Sequence, residues 1–340
     1  MQDDFFALMQ KVAPDLAEQI EHRALVLERI DALQPVGRRM LAGRLNLPER
    51  EVRSIAATLK ENGLVALGAA GMELTPEARD ILPAARRFSR ELRGLTKLET
   101  ALSKLLDVPR VYIAAGDADQ DPHVLHEVGR LAAGKLRSFL KSGSTLAVTG
   151  GQTMLEVAHA LPHGTAMNVM VVPARGGIGR ALETQANAVA SEIAARLGGH
   201  HRLMHLPDDV DEAAMTELRR LPEVTETLEM LQRADVVLYG IGRADDMGIK
   251  RQLQSDLLSS VLQRGAQAEA YGCYFDGDGD VVYSASSLSR DLGKLKPDCA
   301  MIAVAAGTRK ADAIRAVMNS RPQAMLVTDE GAARAMLGTR

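Results

Sequence analysis

Four glycine-bearing segments, each following an apolar, β-rich run, hold most of the chemistry in this 340-residue chain. The first is Thr149-Gly150-Gly151-Gln152-Thr153. Its glycines let backbone N–H groups approach an anion, and the helix that follows presents further unpaired N–H groups. Its hydroxyl and amide side chains add donors. The second segment carries Arg175, Gly176 and Gly177, and an arginine grips phosphate through two parallel hydrogen bonds. The third holds Gly240 and Gly242 and runs on to Lys250 and Arg251. The fourth, Gly307-Thr308-Arg309-Lys310, opens a helix. One glycine after a strand is an ordinary turn. Four such ends, three with basic residues, describe an anion-binding crevice, and two basic clusters suit a ligand with two phosphates. A sugar phosphate also needs acceptors for its hydroxyls. The carboxylates in this region are Glu183, Asp245, Asp246, Asp256 and Glu269, and Glu269 is the preferred acceptor.

Several chemistries are not supported. No G-x-x-x-x-G-K-[ST] loop occurs, so ATP is not implied. Cys273 and Cys299 stand alone, and the histidines lack metal-ligand spacing, so neither a metal nor another cofactor is expected. Asp276-Gly277-Asp278-Gly279-Asp280 lacks the twelve-residue calcium pattern and reads as a turn. A general base could be sought in Asp245 or Glu269, but no paired acid/base motif accompanies them, and the chain is expected not to be an enzyme.

The elements that must position these residues alternate. Strands are expected at 110–115, 145–150, 168–173, 202–207, 235–240, 299–305 and 324–329. Helices are expected at 123–140, 152–161, 182–197, 223–233, 255–263 and 309–318. This alternation predicts a doubly wound, mostly parallel α/β sheet, with ligands at the carboxyl ends of its strands.

Residues before this region follow a different order. A helical run ends at Gln34-Pro35. A short helix over 37–45, with Met40, Leu41 and Leu45 apolar, precedes the Asn46-Leu47-Pro48 turn and a helix over 49–61. A small hairpin and the Thr75-Pro76-Glu77 helix start come next. This is the order of a winged helix-turn-helix. The net charge of −3 hides a local excess: residues 38–60 hold six basic side chains against two acidic ones. The partner expected is double-stranded DNA. Arg50, Arg53 and Ser54 are the candidates for base contact, and Arg38, Arg39 and Lys60 for phosphate contact. The domains are placed at 1–89 and 90–340, with a charged helical run over 78–106 as connection. No apolar run long enough to span a membrane and no signal peptide is read, so the expected place is the cytoplasm.

Taken together, the winged motif with TGGQTM, PARGG, YGIGRADDM, GAQAEAYGCYFDGDG and AVAAGTRKADAIRAVM resembles the SorC-type sugar-binding regulators over nearly the whole chain. The resemblance implies an oligomeric (dimeric or tetrameric) repressor of a glycolytic operon, with fructose 1,6-bisphosphate as effector. It also implies that the larger domain is similar to sugar-phosphate isomerases and deaminases but acts as a sensor. Carried over, Gly150, Gly151, Gln152, Thr153 and Met154 match a phosphate loop. Arg175 beside Gly176 matches a basic ligand. Gln185 adds a polar contact, and Lys250 or Arg251, Glu269 and Lys310 complete the set. Family members often have Thr or Ser where this chain has Gln152. The competing reading is a sugar-phosphate isomerase or deaminase with an accessory DNA-binding domain.

Overall fold

The computed structural model describes residues 8–9, 11–45, 47–164, 166–175, 182–204, 212–284, 295–320 and 324–339. Contacts divide the chain into two compact units, Met1–Lys97 and Leu98–Arg340. Among the described residues no helix is long and apolar enough to cross a membrane.

In the first unit, helices Pro14–Leu33, Arg38–Leu45 and Glu49–Glu61 precede strands β1 (Val65–Gly68) and β2 (Gly71–Leu74) and helix Pro76–Leu92. Its core gathers Leu27, Ile30, Leu41, Val52, Leu59 and Met72. Leu41 and Ala42 point inward from the short helix, so Met40, a third of a turn away, is 58% exposed rather than apolar-facing as expected. The charged run is not one helix. Pro76–Leu92 ends before Gly94, at φ +67°, and a second helix spans Leu95–Leu106. The first of these packs into this unit through Ala78 and Leu82 and an Arg86–Asp31 bond of 3.2 Å.

The second unit is a parallel sheet whose strands are β3 (Arg110–Ala114), β4 (Thr145–Val148), β5 (Met170–Pro173), β6 (His200–His201), β7 (Val236–Arg243), β11 (Ala300–Val304) and β12 (Met325–Asp329). Their order is β6-β5-β4-β7-β11-β12-β3. Val236, Val237, Leu238 and Tyr239 are all buried, as a central parallel strand covered on both faces requires. Beyond Gly240, β7 continues into an antiparallel sheet with β8 (Ala268–Ala270), β9 (Cys273–Phe275) and β10 (Val281–Ser284).

Two further expectations need correction. The strand expected over 202–207 is confined to His200–His201. Arg202 still donates to Val171, but the amide of Asn187 pairs with both backbone groups of Met204, which ends the ladder. Residues 205–207 lie outside the described residues. The helix expected over 182–197 is a 3-10 turn, Leu182–Thr184, then a helix Ala186–Leu197, with Gln185 extended between them.

Candidate functional site

The crevice lies where connections leave the sheet in opposite directions, between β4 and β7, as ligand sites of open α/β sheets do. Past β4, the buried Thr149 hydroxyl accepts from Gly240 N–H at 3.2 Å, tying the two strand ends together. A side chain on Gly150 would place its Cβ 2.4 Å from the Thr184 carbonyl and 2.8 Å from the Ala186 nitrogen. Only glycine permits this approach. Gly151, at φ +117°, donates to the same carbonyl at 2.7 Å. Together they hold Gln185 beside the start of helix Gln152–Ala160.

That helix has no side-chain cap, and its internal bonding begins with Leu155 donating to Gly151. The N–H groups of Gln152, Thr153 and Met154 therefore have no partner within the helix, an arrangement that can receive an anion. Met154 and Thr153 are buried, which leaves Met154 only its backbone N–H to offer a ligand. The Gln152 side chain, read as a further donor, is turned along the helix instead. Its Nε2 donates to Glu156 at 3.0 Å, and Glu156 meets His126 Nδ1 at 3.3 Å.

The strongest convergence is at Glu269. It sits on β8 opposite Gly242 of β7, just before a two-residue turn, Tyr271-Gly272. Both turn residues have positive φ (+41° and +92°), the arrangement of a type I′ hairpin. Glu269 is 3% exposed. Its Oε1 accepts from Arg175 Nη1 and from Gly272 N–H, both at 2.7 Å, and its Oε2 from Arg251 Nη2 at 3.2 Å. Burial by itself would raise this carboxyl, but Arg251, Arg175 and the Gly272 N–H together hold it below its ordinary value. Arg175 is equally enclosed, at 4% exposed. Gly176 and Gly177 lie outside the described residues.

Lys250 ends helix Ala244–Lys250 and Lys310 ends the turn Thr308–Lys310. The Lys310 ammonium is pushed down by burial and by the charge of Lys250. Among the described residues neither lysine has a carboxylate within ion-pair distance. The rest of the fourth segment differs from its expected role. Its backbone donors are already used: Gly307 N–H donates to Asp329, Thr308 to Asp117 and Arg309 to Asp119, at 2.8, 3.1 and 2.7 Å. Asp329, its carboxyl raised by burial, also accepts from Ala118 and Ala332. Arg309 reaches Asp246 at 3.6 Å. This segment therefore offers the Lys310 amine, not a second backbone cradle. Asp117, Asp119 and Asp329, which hold the backbone of this turn in place, were missed in the sequence, although Asp329 before the final helix has the form of a helix cap. Asp245 is held below the ordinary carboxylate range by its bond from Arg243.

In the first unit, helix Glu49–Glu61 buries Val52, Ala56 and Leu59 and exposes Arg50, Arg53, Ser54 and Lys60. Arg38 and Arg39 are exposed on the preceding helix. Glu49 accepts from Arg53 at 3.2 Å and lies 3.5 Å from Arg39. Among the described residues Arg38, Arg50 and Lys60 have no carboxylate partner. The hairpin from Val65 to Leu74 carries no basic residue, its one charge being Glu73, so the cations of this motif are on the helices.

The family of CggR N-terminal DNA binding domains matches residues 20–88, and the sugar-binding domain family matches residues 90–338. The chain belongs to the SorC-type sugar-binding regulators. Relatives align along nearly its whole length. The Central glycolytic genes regulator of Priestia megaterium is 36% identical over 332 residues, 97% of each chain. That of Bacillus subtilis is 34% identical over 329 residues, 96% of this chain and 97% of the relative. The full-length Sorbitol Operon Regulator SorC from Klebsiella pneumoniae shares the fold, at a TM-score of 0.66 and 19% identity over 94% of this chain and 98% of that one. As a SorC-type regulator the chain therefore joins a DNA-binding domain to a sugar-binding domain.

Proposed function

We propose that this chain represses a glycolytic operon and that fructose 1,6-bisphosphate, bound in the crevice, weakens its hold on the operator. The observation that carries the reading is the convergence of Arg175, Arg251 and Glu269 at the carboxyl edge of the parallel sheet. It supplies hydroxyl acceptor and phosphate donors together, with Lys250, Lys310 and the Gln152–Met154 cradle for the phosphates. The glycolytic target rests on the names of the full-length relatives. The helix Glu49–Glu61 enters the major groove, with Arg50, Arg53 and Ser54 toward bases and Arg38, Arg39 and Lys60 toward phosphates. The chain acts in the cytoplasm as a dimer or tetramer on repeated half-sites, without cofactor or metal.

It acts by binding, not by catalysis. A general base works best with a pKa near the operating pH. Glu269 and Asp245 are both held below the ordinary carboxylate range and make poor bases. Regulation requires the effector to bind DNA-competent and DNA-incompetent states with different affinity. The test is a gel shift on the chain's own upstream DNA with and without fructose 1,6-bisphosphate. The reading expects a complex at low salt that the sugar dissolves. No complex, or one indifferent to the sugar, refutes it, and turnover of a sugar phosphate at enzymatic rates refutes the non-catalytic part.

A further inference from the structure

Given the DNA reading above, on which this inference rests, helix Glu49–Glu61 lies in the major groove with a phosphate backbone along each side of it. The cations placed there so far take one side. Arg39 and Arg53 both meet Glu49, and Lys60 stands two turns beyond Arg53 on the same face. The buried stripe of Val52, Ala56 and Leu59 divides that face from a second flank, which carries Glu51 and Thr58.

This second flank borders a groove of about 300 Å³. Its walls are Gln19, His22 and Arg23 of helix Pro14–Leu33 and Glu51, Ser54 and Thr58 of helix Glu49–Glu61. Packed helices ordinarily close such a seam with apolar side chains, but all of these are polar. Gln19 and Ser54 are exposed at the rim, and His22, Arg23 and Thr58 are half-buried within. Glu51 would repel a phosphate, but His22 Nδ1 lies 2.6 Å from its Oε1 and ties it back. The Thr58 hydroxyl already donates to the Ser54 carbonyl at 3.2 Å. Gln19 and Arg23, one turn apart on one face, have no side-chain partner among the described residues.

We propose that this groove seats a phosphate of the DNA strand on the far side of helix Glu49–Glu61 from Arg39 and Lys60, with Arg23 as its cation and the Gln19 amide and Ser54 hydroxyl as neutral donors. A guanidinium can hold a phosphate through two parallel N–H groups. The contact braces the reading helix on the flank that the other cations leave open. It reads no bases, because backbone contacts set position and affinity rather than sequence choice. Helix Pro14–Leu33 then belongs to the DNA interface as well as to the core.

The test is a gel shift of the full chain, without sugar, on its own upstream DNA and on an unrelated duplex, across salt concentrations. Arg23→Gln should bind both duplexes about tenfold more weakly and lower the salt slope by roughly one. Arg23→Lys should restore the slope. Ethylation of single phosphates in the upstream DNA should reveal a position that weakens the unaltered chain but not Arg23→Gln. Unchanged binding by Arg23→Gln overturns the proposal, and so does weaker binding with an unchanged slope and no such position. Should that variant not fold, Gln19→Lys at the exposed rim decides: it should tighten both complexes and steepen the slope by roughly one, and binding left as before overturns the proposal. Absence of any complex with the unaltered chain at low salt overturns the DNA reading itself, an outcome distinct from a complex that is indifferent to Arg23.

Discussion

Replacing Arg175 by alanine removes a guanidinium 2.7 Å from a carboxylate that is 3% exposed. Breaking a buried pair by deleting one partner costs about 3–5 kcal/mol, because the other charge stays buried. Glu269 keeps Arg251 and the Gly272 N–H, which places the expected loss near the lower end, about 3 kcal/mol. For a unit of this size that lowers the unfolding midpoint by roughly 6–12 °C. The loss carries a pH signature. In the unaltered chain the Glu269 carboxyl is depressed, so its contribution is present above the ordinary carboxylate pKa and lost as pH falls through the lower folded value. Without Arg175, burial, the largest influence, faces less opposition and the folded value moves up. The variant's deficit is then greatest at neutral pH and shrinks as acid neutralises Glu269. Scanning calorimetry at about pH 7 and about pH 5 reads this directly. A deficit equal at both values, or none at all, refutes the reasoning. At a temperature where the variant is folded, it should still bind operator DNA but no longer release it with sugar.

Four further outcomes are expected. Gly150→Ala drives a Cβ into the Thr184 carbonyl and should cost about 1–3 kcal/mol by thermal unfolding, with weakened sugar binding. Lys310 is depressed by burial and by Lys250, so affinity for fructose 1,6-bisphosphate should fall on the alkaline side at a lower pH than an ordinary lysine dictates, and Lys310→Met should flatten that limb in a titration series. Asp329→Ala strands the N–H groups of Ala118, Gly307 and Ala332 at about 1–3 kcal/mol each, and should lower both the melting point and the sugar affinity. Arg50→Ala should change the preferred operator bases, whereas Lys60→Ala should weaken all DNA alike and reduce the salt slope of binding by roughly one, measured by gel shift across salt concentrations.

How much of this was legible in the sequence depends on the length of the signal. Val236–Tyr239 and Ala324–Val327 are short apolar runs, and a buried parallel strand looks like that. β8 and β9 are three residues each, Ala-Glu-Ala and Cys-Tyr-Phe, too short for any period to show. The antiparallel extension of β7 went unread for that reason, and with it the hairpin that fixes Glu269. At the crevice, residue types and the family resemblance pointed to Arg175, Arg251 and Glu269 one by one. That the first and last, 94 positions apart, touch each other is a fact of topology. The fourth glycine segment misled because a free N–H and one already bound to Asp117, Asp119 or Asp329 read identically in a string of letters.

The bare start of helix Gln152–Ala160 has a consequence for how this protein can be improved. An acceptor side chain at a helix start adds about 0.5–2 kcal/mol, and Thr75, Asp121 and Asp329 supply one elsewhere in this chain. Gly151 cannot be converted cheaply into such a residue at φ +117°. A screen for heat tolerance alone would therefore favour changes nearby that bring an oxygen onto the Gln152–Met154 N–H groups. If the proposed function holds, those variants would be sturdier and would still grip DNA but be deaf to sugar: stability gained at this uncapped helix start would be taken from the response.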